Sequence, residues 1–364
     1  MRSNLLSVQS ELGEVRTIID AQLLAEGLYP SLLRLPATHQ GIIEVASQVG
    51  ASRTVRSKYQ YISVIIALYG AMEQFIESVV TSYLRIVPRV CRRFDNVPEV
   101  IRVKHHDLSI EYLSAIKSNR VHNPEDTSLV VERLARCKSR VSKYEFNHRA
   151  FTLRNANMSF DRMQKAFANI GVEVTARRLV NTTSFRQYYL DKNGVEANLT
   201  EDAQVRRAFA EVDELVERRN RVAHGANNVD EIEGPSLLLD RVCYVGMYCS
   251  AIYEIVEDSL LRMCMGNEHV RSLGVPVRKF GASIVCFPLN DGQVTVGDCM
   301  YMLPSDPNVP AVRGLIDSIQ VNNNSVVSVV GSAGLTFGAR VPYRASSTAS
   351  YGLLSSDMAA QLDA

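Results

Sequence analysis

Apolar residues recur at helical intervals over most of the first 265 positions, and at shorter, alternating intervals after about residue 274. Leu5, Val8, Leu12, Val15, Ile19, Leu23 and Leu24 follow a rhythm near 3.5 residues and predict an amphipathic helix over 4–28. Pro30 and Pro36 interrupt it, and a linker to about residue 52 carries one short apolar piece, Ile42–Val49. Over 55–86, Tyr61, Ile65, Leu68, Met72, Phe75, Ile76 and Val79 recur at helical spacing. Val64, Ile66 and Ala67 extend the apolar surface around the circumference, so this helix belongs at the centre of a bundle.

Pro88 and Pro98 then break the chain, and helices are expected at 107–118, 127–142 and 159–169. Val172–Val180 reads as extended, and Asp191–Gly194 as a turn. Thr200 is placed to cap a helix running from about 201 to 224 and closed by Gly225. A polar loop, Ala226–Gly234, separates it from a last apolar helix over 236–265, closed by Gly266. From Gly274 onward Gly, Pro and β-branched residues rise. Ala282–Phe287, Thr295–Leu303, Gly314–Val321, Ser325–Val330 and Phe337–Tyr343 read as short strands between turns. The expected architecture is a mainly α helical bundle followed by a small all-β barrel. The segments are an N-terminal helix and linker (1–52), a helical domain (53–266) with a basic insert at about 88–198, a barrel (275–344) and a flexible tail (345–364).

Composition leaves this picture unchanged: 46% apolar and 22% charged residues in a 364-residue chain are ordinary for a soluble protein. The net charge of +1 says nothing about partners, and its distribution says more. Residues 81–180 hold 19 Lys and Arg against 10 Asp and Glu, whereas the remainder holds 21 against 29. A basic insert of this kind is either a solvated helical face or a surface for a polyanion. The seven cysteines are odd in number and contain no CxxC pair, which argues against a disulfide framework or a structural zinc site and fits a reducing cytoplasm. No signal-peptide apolar region follows Met1, and the most apolar run, Tyr61–Met72, is too short to span a bilayer, so no membrane association is expected.

The chemistry concentrates in Glu211–Gly225. Val212, Leu215, Val216 and Val222 give the helix an apolar stripe, and Arg219, Asn220 and His224 stand on its polar side. A guanidinium can hold two phosphate oxygens, and an imidazole titrates where proton transfer is useful, so this set suits a phosphodiester. Cleaving RNA without a metal needs those two functions, directed at a 2′-hydroxyl and a leaving 5′-oxygen; no metal or cofactor is called for. At about 100° per residue, Asn220 and His224 lie about 40° apart, but Arg219 and His224 about 140° apart. Arg219 must bend round, or the helix must fray near Gly225, or two copies of the helix must share their residues. The competing reading makes Arg219 and His224 surface residues at a helix end. Glu73, inside the apolar 55–86 helix, either reaches water or pairs with an arginine of the 201–224 helix; it and Arg218 are candidate supporting residues.

Glu217-Arg-Arg-Asn-Arg-Val-Ala-His-Gly225 resembles the signature of HEPN ribonucleases: an arginine, a polar residue, a short spacer and a histidine. Val212–Val216 before it, the Tyr-rich helix Tyr59–Glu77, and Asn155-Ala-Asn-Met-Ser-Phe160 are similar to the RiboL-PSP-HEPN branch found beside bacterial defence and toxin systems. The likeness covers roughly residues 50–265. It implies that Arg219 binds the phosphate, Asn220 orients groups or contacts substrate, and His224 is the acid/base. Glu73 matches the branch's acidic position only approximately. It further implies paired signatures in a homodimer or higher even-numbered oligomer, and metal-independent RNA cleavage, with tRNA one candidate, leaving a 2′,3′-cyclic phosphate. Some HEPN domains only bind RNA or protein, so a silent adaptor is the alternative. Asn290–Asp298, Ile316–Val321 and Gly331–Gly338 are similar to the second β-barrel domain of translational GTPases, which implies a partner in the translation machinery, beside an antitoxin or trigger partner.

Overall fold

Val8, Leu12, Val15 and Ile19, the face set by the 3.5-residue rhythm, are the buried positions of α1 (Arg2–Leu32) in the computed structural model, which describes residues 1–138, 143–152, 157–223, 232–265 and 268–363. Pro30 falls in the last turn of α1. The expected linker contains a second helix, α2 (Gln40–Ala51), with Ala46 buried. α3 (Arg53–Val90) buries Tyr61, Ile65, Leu68, Met72, Phe75, Ile76 and Val79, and also Val64, Ala71 and Val80, so most of its circumference is covered. It packs against α1 and against α11 and α12, described below, and forms the axis of the main core. Pro88 does not end it: at this position the missing N–H costs one bond in the last turn, and Val87 and Val90 remain buried. α3 is long and apolar enough by length and composition to cross a bilayer, unlike the shorter run expected from sequence, but half of its most apolar window is buried inside the protein.

The insert is helical throughout much of its length: α4 (Glu99–Lys117), α5 (Thr127–Lys138), α6 (His148–Phe151), α7 (Phe160–Asn169), α8 (Ala176–Leu179), α9 (Thr183–Asn193) and α10 (Asp202–Arg207). Part of Val172–Val180, expected to be extended, is thus the short helix α8, which the Thr175 hydroxyl caps by accepting from the Arg178 N–H at 3.2 Å. Gly194, at φ 70°, closes α9 in the left-handed conformation. The helix expected over 201–224 is two helices. α10 begins after Glu201 rather than at a Thr200 cap, and α11 (Ala210–Ala223) begins after a turn at Ala208–Phe209. Phe209 explains the turn: it is 1% exposed and packs on Phe160, Phe185 and Tyr248. α12 (Pro235–Cys264) closes the bundle against α1, α3 and α9.

Eleven short strands follow: β1 (Val270–Gly274), β2 (Arg278–Phe280), β3 (Ile284–Pro288), β4 (Gln293–Thr295), β5 (Cys299–Leu303), β6 (Val312–Leu315), β7 (Ser318–Val321), β8 (Asn324–Val326), β9 (Ser328–Val330), β10 (Thr336–Arg340) and β11 (Ser350–Leu354). They pair antiparallel in three sheets, β1-β11-β5-β6, β2-β3-β10-β7-β8 and β4-β9, around a second core that holds Phe287, Phe337 and Tyr351. Asn322 and Asn323, at φ 49° and 65°, form the two-residue turn between β7 and β8. The expected flexible tail is ordered. β11 lies between β1 and β5, and α13 (Ser356–Asp363) buries Met358 and Leu362 in the helical core. Its Ser- and Ala-rich composition hides the apolar run Tyr351–Leu354, which supplies the driving force.

The two cores meet at α12. Asp258 is fully buried and accepts from Ala311 N–H of the β domain at 2.8 Å, from Arg262 Nε at 2.9 Å, and from Arg178 of α8. Beside it Arg313 of β6 donates to Glu257 at 2.9 Å and to Asp363 of α13 at 2.9 Å. A buried carboxylate needs such donors, since an unpaired one would cost several kcal/mol, roughly.

Candidate functional site

Val212, Leu215, Val216 and Val222 fix α11 on α3, and that register decides where its polar residues point. Arg218 turns inward. It is 8% exposed, and donates to the Tyr61 hydroxyl of α3 at 3.0 Å and to Glu214 at 2.7 Å, with Glu233 at 3.1 Å. Arg241 of α12 completes the cluster, 2.6 Å from Glu233 and 3.0 Å from Glu214. Burial works against the Arg218 charge, but the Tyr61 and Glu214 hydrogen bonds outweigh it and its pKa is raised. Arg218 therefore braces α11 and does not face the candidate site; its supporting role is structural.

One residue on, Arg219 emerges on the other side. Its guanidinium carbon lies 4.7 Å from the centre of the Tyr69 ring, a cation–π arrangement. Its Nη1 donates to Asn157 Oδ1 at 3.0 Å and to Asn220 Oδ1 at 3.2 Å, and Asn157 Nδ2 donates to Asn220 Oδ1 at 3.0 Å. Arg219, Asn157 and Asn220 thus form a closed, half-buried triangle over a tyrosine. The Tyr69 hydroxyl accepts from the Met158 N–H at 2.9 Å and donates to Glu73 Oε1 at 2.9 Å. Burial raises the Tyr69 pKa, the Met158 amide opposes this and Glu73 adds to it, so the hydroxyl keeps the proton it donates. Glu73 joins the site through Tyr69. The Tyr69 ring lies against the guanidinium, and its hydroxyl holds Glu73.

The segment carrying Asn157 is held on both sides. Ser159 caps α7, and Asp213 of α11 accepts from the Phe160 N–H at 2.9 Å. The sequence sets Arg219 and Asn220 side by side and carries the Asn155–Phe160 motif, but no local pattern assigns a role to Asn157 or Tyr69. Their signal was present, in the motif and in the Tyr-rich α3; the pairing was not, because Asn157 lies 62 residues from Arg219. His224 and its following Gly225, like Asn155 and Ala156, lie outside the described residues. α11 is described as far as Ala223, the residue before His224.

This arrangement can bind an anion. Among the described residues no carboxylate pairs with Arg219, whose partners are neutral amide oxygens and an aromatic face. A phosphate offers the guanidinium an opposite charge and two oxygens for a bidentate pair, which a neutral amide oxygen does not, and can displace it. A helical domain with the arginine–polar pair near the end of its penultimate long helix is of the HEPN class. The family model for RiboL-PSP-HEPN matches residues 42–258, more than half of the chain, and the chain belongs to that family. The match ends before the β domain. No curated protein matches the chain. A HEPN domain points to an RNA-related function.

Proposed function

We propose that the chain is a metal-independent endoribonuclease of a bacterial toxin or anti-phage defence type, working in the cytoplasm as a homodimer. The observation that carries this reading is Arg219, held over Tyr69 with amide oxygens as its acceptors among the described residues, near the end of the helix that leads toward His224. In the proposed reaction the 2′-hydroxyl attacks phosphorus and the P–O5′ bond breaks. A proton leaves the 2′-oxygen and another reaches the 5′-oxygen; His224 handles this transfer. Arg219 replaces its amide contacts with non-bridging phosphate oxygens as charge builds on them, and Asn220, released, orients the strand. The 2′,3′-cyclic phosphate is the product. Five residues separate position 224 from Arg219, about 140° on an ideal helix, and the complete site draws on α11 of a second copy.

The test is incubation of purified protein with total RNA in EDTA. Cleavage with cyclic-phosphate ends, abolished in Arg219→Ala and in His224→Ala, supports the enzyme. Cleavage unchanged in both variants overturns it. RNA binding without cleavage assigns the adaptor role instead.

A further inference from the structure

Five of the nineteen Lys and Arg of residues 81–180 line one cavity of about 590 Å³, bounded by the last turns of α3, by α5, and by the segment Tyr144–His148. Arg85 and Arg89 stand one turn apart on α3, and Arg133 and Arg136 one turn apart on α5. Lys143 adds a fifth cation. Among the described residues no carboxylate lies in salt-bridge reach of Arg85 or Arg89, both exposed.

The α5 pair is partly balanced. Arg133 donates to Glu125 at 3.0 Å, and Arg136 to Glu132 at 2.5 Å. The buried Nε of Arg133 nevertheless makes no hydrogen bond; the Glu145 carboxylate is 3.5 Å away. Among the described residues, five cations thus stand with these three carboxylates. His148, on the wall, has its pKa lowered by burial and then by the Arg85 charge, as expected in a positive field.

The remaining lining, Leu84, Pro88 and the buried Tyr144 and Phe146, is apolar. A concave, mixed site of this volume is within the range that takes small molecules, roughly 300–1,000 Å³. Arginines in such a setting take phosphates in the bidentate mode. Three segments of the fold bound it, which suits a compact ligand better than a strand. Arg85 comes sixteen residues after Tyr69 on α3, about 24 Å at 1.5 Å per residue, so the cavity is separate from Arg219.

We propose that this cavity binds a small ligand of nucleotide size bearing at least two phosphates, which lie on Arg85, Arg89 and the α5 arginines while the rest of the molecule rests on Leu84 and Pro88. This site stands whether or not the chain cleaves RNA. The experiment is isothermal titration calorimetry on the full chain with inorganic triphosphate, ATP, GTP and a ten-nucleotide RNA. Wild-type protein should bind a nucleotide, or the triphosphate alone if the phosphates carry the affinity. Arg85→Ala/Arg89→Ala should weaken that binding at least tenfold without moving the melting temperature or the circular dichroism spectrum. Arg340→Ala/Arg344→Ala, which removes two exposed arginines from the β domain, should leave it unchanged. Equal affinity in the α3 double variant, binding of the RNA alone, or no binding of any probe overturns the proposal.

Discussion

Acid should loosen the wall of the basic cavity through His105. This histidine of α4 is 1% exposed, and its Nε2 accepts from the Asn147 N–H at 3.0 Å. Phe146 meets its ring edge-on at 5.2 Å and Phe151 stacks at 6.3 Å. Only the neutral ring with its proton on Nδ1 can accept that bond. Burial, then the charges of His106 and Arg133, lower its pKa from 6.5 to about 4. The unfolded chain therefore takes up the proton first. The stabilisation is complete above pH 6.5 and is lost as pH falls toward 4. The shift corresponds to about 3 kcal/mol in full, of which about 2 kcal/mol is lost between pH 7.5 and pH 5. Urea unfolding across that interval checks it, comparing wild type with His105→Gln, whose amide oxygen can still accept but does not titrate. The wild-type loss should fall by at least half in the variant; His148, also lowered, supplies a remainder of the same sign. Hydrogen exchange in the segment 144–151 should rise at pH 5 in wild type alone. An unchanged pH slope in His105→Gln would refute the reasoning.

Asp258→Ala should cost about 3–5 kcal/mol, because it strands the largely covered Arg178 and the buried Ala311 N–H together. Calorimetry should then resolve separate melting of the helical and β domains, where wild type gives coupled unfolding. At the candidate site, Tyr69→Phe keeps the ring beneath Arg219 and removes the anchor for Met158, whereas Tyr69→Leu removes both. Losing about 1 kcal/mol of cation–π energy predicts a further drop of about fivefold in single-turnover RNA cleavage for Tyr69→Leu relative to Tyr69→Phe. Equal rates in the two variants would assign the effect to the hydroxyl.

The long periodic helices were legible because their burial is one-sided or complete over many turns: α1, α3 and α12 carry the faces that their spacing defines. The short ones were not. α8 has four residues, too few for a period, and its cap is one threonine hydroxyl. The turn between α10 and α11 was invisible because Phe209 fits the apolar stripe of a continuous helix as well as it fits its aromatic pocket. At the site, the neighbours Arg219 and Asn220 could be read from the chain itself. Their contacts with Asn157 and Tyr69 join three distant segments and have no local trace. Arg218 and Arg219 differ by one step of about 100°, and only the packing of α11 on α3 decides which becomes a brace and which faces outward.

The joint at Asp258 also bears on how readily these two domains could be exchanged. Its contact with the β domain is to the amide of Ala311, a group that any residue but proline supplies. A different β module presenting one N–H at that point would meet the carboxylate equally well. Side-chain identity is read elsewhere, by Arg313, which reaches Glu257 and Asp363, and by Tyr301, Leu354, Met358 and Leu362, which are buried in the helical core. A graft that kept Arg313 together with these apolar groups would keep the joint while the rest of the module varied.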